Sequence, residues 1–126
     1  MNPSMQGKTY PDIPFTVDAT RVAEFRRVVG QPEGVPPTFV SAAEFAAFQD
    51  VIDDPALALN FSKVLHGSHE YAYERAVVEG ERLTVRTKIE SIRQRGEVGF
   101  LILVTELTGS DGGLVCTTRT LMVERT

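Results

Sequence analysis

The chain has no tryptophan, one cysteine and two histidines among 126 residues. Each shortage removes a class of function. Cys116 alone cannot close an intrachain disulfide or found a cysteine-rich zinc site, which fits a reducing compartment. His66 and His69 without a cysteine partner cannot complete a closed metal shell, so no metal is expected. The longest apolar run, Phe100-Leu101-Ile102-Leu103-Val104, is far below the ~20 residues that cross a bilayer. Met1 to Met5 shows no charged stretch followed by an apolar one, so no secretory signal is expected and a cytoplasmic location is. Thirteen Lys and Arg against seventeen Asp and Glu leave a net charge of −4, which gives no pull towards nucleic acid. There is no glycine-rich phosphate loop and no nucleophile with a base at triad spacing, so the sequence implies no cofactor.

What is present suits one globular domain spanning residues 1–126. Apolar residues make up 42% and charged residues 24% of the chain. At this length roughly two-thirds of the unfolded surface is buried on folding, enough for a core without covalent staples.

Two helices come first. Asp18 caps a run with Val22, Phe25, Val28 and Val29 at helical spacing, and Gly30 stops it, predicting a helix over about 18–29 with Arg21, Glu24, Arg26 and Arg27 on a solvated face. After a breaker-rich loop from Gln31 to Pro37, Ser41 and Glu44 have capping-box spacing and Val40 and Phe45 that of a hydrophobic staple. This predicts a second helix to about Ile52, stopped by Asp53-Asp54-Pro55. Ala42, Ala43, Phe45, Ala46, Ala47, Phe48, Val51 and Ile52 leave it few polar positions, so it is expected to be wrapped by other structure. From His69 onward the period is two. Tyr71 and Tyr73 share a strand face, Leu83 to Ile89 alternates, Phe100 to Leu107 is apolar on both faces as in the middle of a covered sheet, and Leu114 to Glu124 is the last strand. About four antiparallel strands in a meander, with one very apolar helix across them, give an α+β layout.

Several segments then carry a likeness in order. Gly7-Lys8-Thr9-Tyr10-Pro11, Pro36-Pro37-Thr38-Phe39, and Val64-Leu65-His66-Gly67-Ser68-His69-Glu70-Tyr71 followed by Gly80-Glu81-Arg82-Leu83 resemble the MaoC-like N-terminal dehydratase family. The likeness is to the short, non-catalytic subunit of two-subunit (3R)-hydroxyacyl thioester dehydratases. It implies a hotdog fold, an antiparallel sheet wrapped around a long apolar central helix. It also implies acyl thioesters on coenzyme A or acyl carrier protein as ligands, and a homodimer or a heterodimer with a catalytic hotdog subunit through sheet edges. Pro37, Thr38, Phe39, Gly67 and Tyr71 fall where such a family binds substrate. Catalytic members carry Gly-Asp, then Asn-Pro, then His in the loop before the central helix. Here Gln31 stands at the Asp place and Pro36 at the His place.

That departure has chemical weight. Dehydration needs a base for the proton beside the carbonyl, an acid for the departing hydroxyl and donors for the enolate oxygen. Gln31 cannot cycle a proton near neutral pH, and Pro36 has no side-chain donor or acceptor. The start of the second helix is expected to offer free backbone N–H groups. His66 and His69 are the candidate catalytic residues, against the plainer reading that His66 bonds backbone at a bend near Gly67 and His69 lines a subunit contact. Arg75, Arg82, Arg86 and Lys88 suit either carrier phosphates or solvated strand faces, and Cys116 a small packed residue. The sequence therefore points to a tunnel-shaping subunit whose partner supplies Asp and His. A self-sufficient hydratase or thioesterase using a histidine, and an acyl-thioester-binding protein without chemistry, stay open beside it.

Overall fold

The computed structural model describes residues 1–125. α1, Ala19–Val29, begins behind Asp18, whose carboxylate accepts from the Arg21 N–H at 3.0 Å, and ends at Gly30 with φ 79°. Only glycine takes that left-handed position without strain. α2, Ser41–Ile52, follows a 3-10 turn over Pro37–Val40. Five strands, β1 (Ile13–Thr16), β2 (Val64–Tyr73), β3 (Arg82–Arg95), β4 (Val98–Thr108) and β5 (Leu114–Arg125), form one antiparallel sheet in the order β1-β3-β4-β5-β2.

The expected meander is β3-β4-β5. Two elements were not read from the sequence: β1, four residues pairing Ile13 to Thr16 with Val85 to Arg82, and the first half of β2, which starts at Val64 and not near His69. Both belong to edge strands, whose partners lie far away in sequence and whose local pattern is weak. β4 is central as expected. Leu101, Leu103, Thr105 and Leu107 are fully buried on one face, whereas Phe100, Ile102 and Val104 on the other are only half-buried, so this chain covers the sheet on one side.

α2 lies across the covered side. Ala43, Ala47, Phe48 and Val51 face inward, and Phe48 at 1% exposure is worth about 1.5–3 kcal/mol of burial. The helix is not wrapped on all sides. Phe45 is 58% exposed and Ala46, Gln49 and Asp50 are exposed with it. Twelve residues of helix on a single sheet present one face to it, whatever the composition of the other face. The capping box also fails. The 3-10 turn runs into α2, Ser41 is already helical, and its Oγ donates to the Thr38 carbonyl at 2.7 Å. Glu44 is thereby free for another use.

The inner face of the sheet carries two apolar clusters. One gathers Phe15, Val22, Phe39, Val40, Leu83 and Leu107; the other gathers Phe48, Leu57, Ile89, Leu101 and Leu103. A buried polar band separates them. Thr87, Thr105 and Thr118 stand side by side on β3, β4 and β5, with Tyr71 of β2 next in the row. Thr87 and Thr105 share a hydrogen bond at 3.1 Å, and Thr120 extends the band along β5.

Candidate functional site

Glu44 completes that band from above. It sits on the inward stripe of α2, four residues from Val40 and from Phe48, and is fully buried. Its Oε2 accepts from Thr118 Oγ1 at 2.7 Å and lies 3.5 Å from Thr120 Oγ1. His69 Nε2 lies 2.7 Å from Oε2 and 2.9 Å from Oε1. Burial pushes the Glu44 carboxyl above the ordinary glutamate range, partly offset by the Thr118 hydroxyl and by His69.

β2 delivers His69 through a bulge. Residues three apart on a regular strand point to opposite faces. The register shift between His66 and Ser68 inserts an extra residue at Gly67, so His66 pairs with Met122 and His69 with Thr120, two positions on the same face of β5. The two rings consequently stand 5.2 Å apart. A Cβ on Gly67 would lie 2.9 Å from Leu121 Cγ, the packing reason for glycine there. Tyr71 stacks on His69 with centroids 4.6 Å apart and planes 7° from parallel, and Tyr73 continues the stack at 6.5 Å. Desolvation, followed by the charge of Glu44, pushes the Tyr71 phenol up to about 12, so it is a hydrogen donor throughout the neutral range. Tyr73 ties the stack to the turn before α2 by donating to the Pro37 carbonyl. Cys116 is fully buried beside this stack, with its thiol pushed up to about 11 by desolvation.

His66 faces an apolar groove of about 380 Å³ between α2, β5 and the segment entering β2, lined by Phe45, Phe48, Ile52, Phe61 and Met122. Among the described residues its ring makes no hydrogen bond to backbone, and a bulge stands where a bend contact is expected. The other sequence candidates scatter. Pro37 and Thr38 are exposed on the turn before α2, while Phe39 is 2% exposed and packs against Phe15 and Phe25 as a core residue. The helix start offers fewer donors than expected. Pro36 and Pro37 have no N–H and Phe39 N–H is bonded to the Pro36 carbonyl at 2.9 Å, leaving Thr38 N–H. Gln31 spends its amide on the Glu33 carbonyl at 2.8 Å. Arg75 and Arg86 are held by Glu81 and Asp12.

Sequence reading missed Glu44, Thr118 and Thr120. The signal for Glu44 was its position: the one acidic residue on the inward stripe that Val40, Ala43, Ala47, Phe48 and Val51 define. Among the described residues no cluster of three or more His, Cys, Asp or Glu could hold a metal, and no helix is long and apolar enough to cross a membrane.

Comparison with known proteins fits this architecture. The family model described as FAS1-like, dehydratase domain region matches residues 33–118. The chain belongs to that family. Full-length relatives of this FAS1-like dehydratase-region chain include the UPF0336 proteins of Streptomyces avermitilis and Streptomyces coelicolor, 34% and 33% identical over 99% of this chain and 95% of each relative. Among solved structures, the C-terminally truncated HadBC (3R-hydroxyacyl-ACP dehydratase) complex of Mycobacterium tuberculosis superposes with a TM-score of 0.81 over 94% of this chain and 96% of that one, at 20% identity. A MaoC-like dehydratase gives 0.85 over 98% of this chain and 43% of that one, also at 20% identity. The R-hydratase PhaJ1 of Pseudomonas aeruginosa gives 0.68 over 95% and 81%, at 12% identity. The sheet and its helix therefore have the hotdog fold.

Proposed function

We propose that this chain is the acyl-thioester-binding subunit of a (3R)-hydroxyacyl-CoA or acyl-carrier-protein dehydratase in cytoplasmic fatty-acid metabolism, acting as one hotdog domain over residues 1–126. A second hotdog subunit supplies the catalytic Asp and His. The observation that carries this reading is the loop before α2: Gln31 is bonded to its own loop and Pro36 is buried, so neither the Asp place nor the His place holds a side chain that can exchange a proton. Pro37, Thr38, Gly67 and Tyr71 edge the thioester site, and Phe39 supports it from the core. The free outer edge of β2, ten residues long with Leu65 57% exposed, suits pairing with another sheet. The HadBC and ChsH1-ChsH2 complexes of Mycobacterium tuberculosis, both with this fold, support a hotdog partner.

The test is turnover of 3-hydroxyacyl and enoyl thioesters by the chain alone and with a hotdog partner that carries Asp and His. Negligible activity alone and robust activity together are expected. Replacing His66 and His69 together by Gln should leave the complex within roughly tenfold, since a general base contributes about a hundredfold or more. The Glu44–His69 contact favours a second reading, a self-sufficient homodimeric hydratase or thioesterase. Activity of the chain alone, lost in the same double variant with folding intact, would establish that reading instead. Thioester binding without turnover in any combination would leave a non-enzymatic acyl-thioester-binding protein.

A further inference from the structure

The Glu44–His69 pair is costly and the loop chemistry does not use it. A buried carboxylate within hydrogen-bond reach of one imidazole nitrogen fixes the role of the other. With Glu44 ionised and accepting from Thr118 Oγ1, it accepts from His69 Nε2 as well, so the proton of the neutral ring sits on Nε2 and the lone pair on Nδ1. Among the described residues Nδ1 has no partner. Since no buried side-chain nitrogen or oxygen among the described residues lacks one, Nδ1 reaches the surface. Flat stacking on Tyr71 fixes the plane of the ring, and His66 beside it opens onto the apolar groove under Phe45. A fixed acceptor next to an apolar groove matches a hydrogen donor carried on an acyl chain.

We propose that Glu44 is a positioning residue that holds His69 as a hydrogen-bond acceptor for the 3-hydroxyl of a hydroxyacyl thioester, a polar subsite by which this subunit selects hydroxylated over plain acyl chains. The inference rests on the acyl-thioester reading given above. It assigns His69 to ligand selection and not to proton transfer, which is why the assembled enzyme should tolerate Gln at that position in turnover while its KM for the hydroxyacyl substrate rises.

Two measurements on the full chain test it. Nitrogen-15 NMR of the labelled histidines should show His69 as the Nε2–H tautomer at neutral pH. In Glu44→Leu, which leaves no acceptor on α2 for Nε2–H, the ring should relax to the tautomer mixture of a free imidazole. An imidazolium at neutral pH, an Nδ1–H tautomer in the unmodified chain, or an undiluted Nε2–H tautomer in Glu44→Leu would each overturn the positioning role. Titration calorimetry with 3-hydroxydecanoyl-CoA, decanoyl-CoA and free coenzyme A then reads the subsite. The hydroxyacyl ligand should bind about two- to tenfold more tightly than the plain acyl ligand, the range of one net hydrogen bond. His69→Phe should erase that difference and Glu44→Leu should reduce it, while both still bind decanoyl-CoA. Equal affinity for the two acyl ligands in the unmodified chain would refute the subsite and leave the acyl-thioester reading standing. Failure of both to bind better than free coenzyme A would refute that reading and the subsite with it.

Discussion

Replacing His69 by Phe isolates the energetics of the buried carboxylate. The ring keeps its aromatic area against Tyr71, but Glu44 loses the partner at 2.7 Å and stays in a site with no exposure. Taking the hydrogen donor away from a buried, ionised carboxylate costs about 3 kcal/mol, the upper end of the penalty for an unsatisfied buried group, because this group is charged. With a urea m-value of about 1–3 kcal/mol/M, the midpoint at pH 7 should fall by about 2 M. The pH dependence gives a second check. Burial already holds the folded-state pKa of Glu44 above the ordinary glutamate value of 4.5, and loss of His69 raises it further. A group whose pKa is higher folded than unfolded binds its proton more tightly in the native state. Its contribution is therefore most favourable below the unfolded value and is lost as pH rises through the folded one. The deficit of His69→Phe should be small near pH 4 and grow towards neutrality. Adding Glu44→Leu removes the stranded charge and should recover part of the loss, leaving the Thr118 and Thr120 hydroxyls short of an acceptor at about 1–3 kcal/mol. A His69→Phe variant within about 1 kcal/mol of the unmodified chain at pH 7, or a double variant no more stable than the single one, would refute the reasoning.

Gly67→Ala should cost about 1–3 kcal/mol because its Cβ meets Leu121 at 2.9 Å, and Leu121→Ala in the same chain should relieve part of the clash; thermal unfolding reads both. Asp54, bonded by Lys8 Nζ at 2.6 Å and Tyr10 Oη at 2.8 Å, has its carboxyl pushed down to about 2. Its stabilisation is complete above the unfolded value of 3.8 and is lost as pH falls towards 2, so Asp54→Asn should flatten the acid limb of stability in urea titrations between those values. Ala46→Asp should leave the chain's own unfolding within about 0.5 kcal/mol, because Ala46 is exposed; a urea midpoint displaced by more than that would show that this face of α2 is covered.

The sequence made the regular parts of the fold legible because their signals are local. Asp18 and Gly30 bound α1 within one residue, and the alternation from Leu83 to Ile89 and the apolar run from Phe100 mark β3 and β4. The inward face of α2 was hidden by its composition. With Phe45 and Ala46 as apolar as Ala47 and Phe48, the periodicity could not say which face meets the sheet. The same segment misled about the site. Ser41-x-x-Glu44 fits a capping box, a local pattern that accounts for Glu44 without any long-range contact. Its partners lie 25, 74 and 76 residues away, and only the pairing of β2 with β5 brings them together. His66 and His69 were found by scarcity, but their common face was not legible, because a bulge at Gly67 is needed to produce it.

The polar band also explains how an edge strand keeps its register. β2 has a neighbour on one side only, and its outward residues are exposed, so apolar burial specifies its alignment weakly. A slip of one residue would turn His69 outward and leave Glu44, Thr118 and Thr120 without it in a buried site. Replacing Glu44 and His69 by apolar residues could match or exceed the native stability on packing grounds alone, but it would remove that penalty on the wrong alignments. The carboxylate on α2 therefore binds helix, central sheet and edge strand to one arrangement. The arrangement it selects is the one that stacks His69, Tyr71 and Tyr73 on a single face and sets His66 over the groove. The buried carboxylate of Glu44, held by His69, Thr118 and Thr120, thus sets the register of β2 and with it the placement of the aromatic stack.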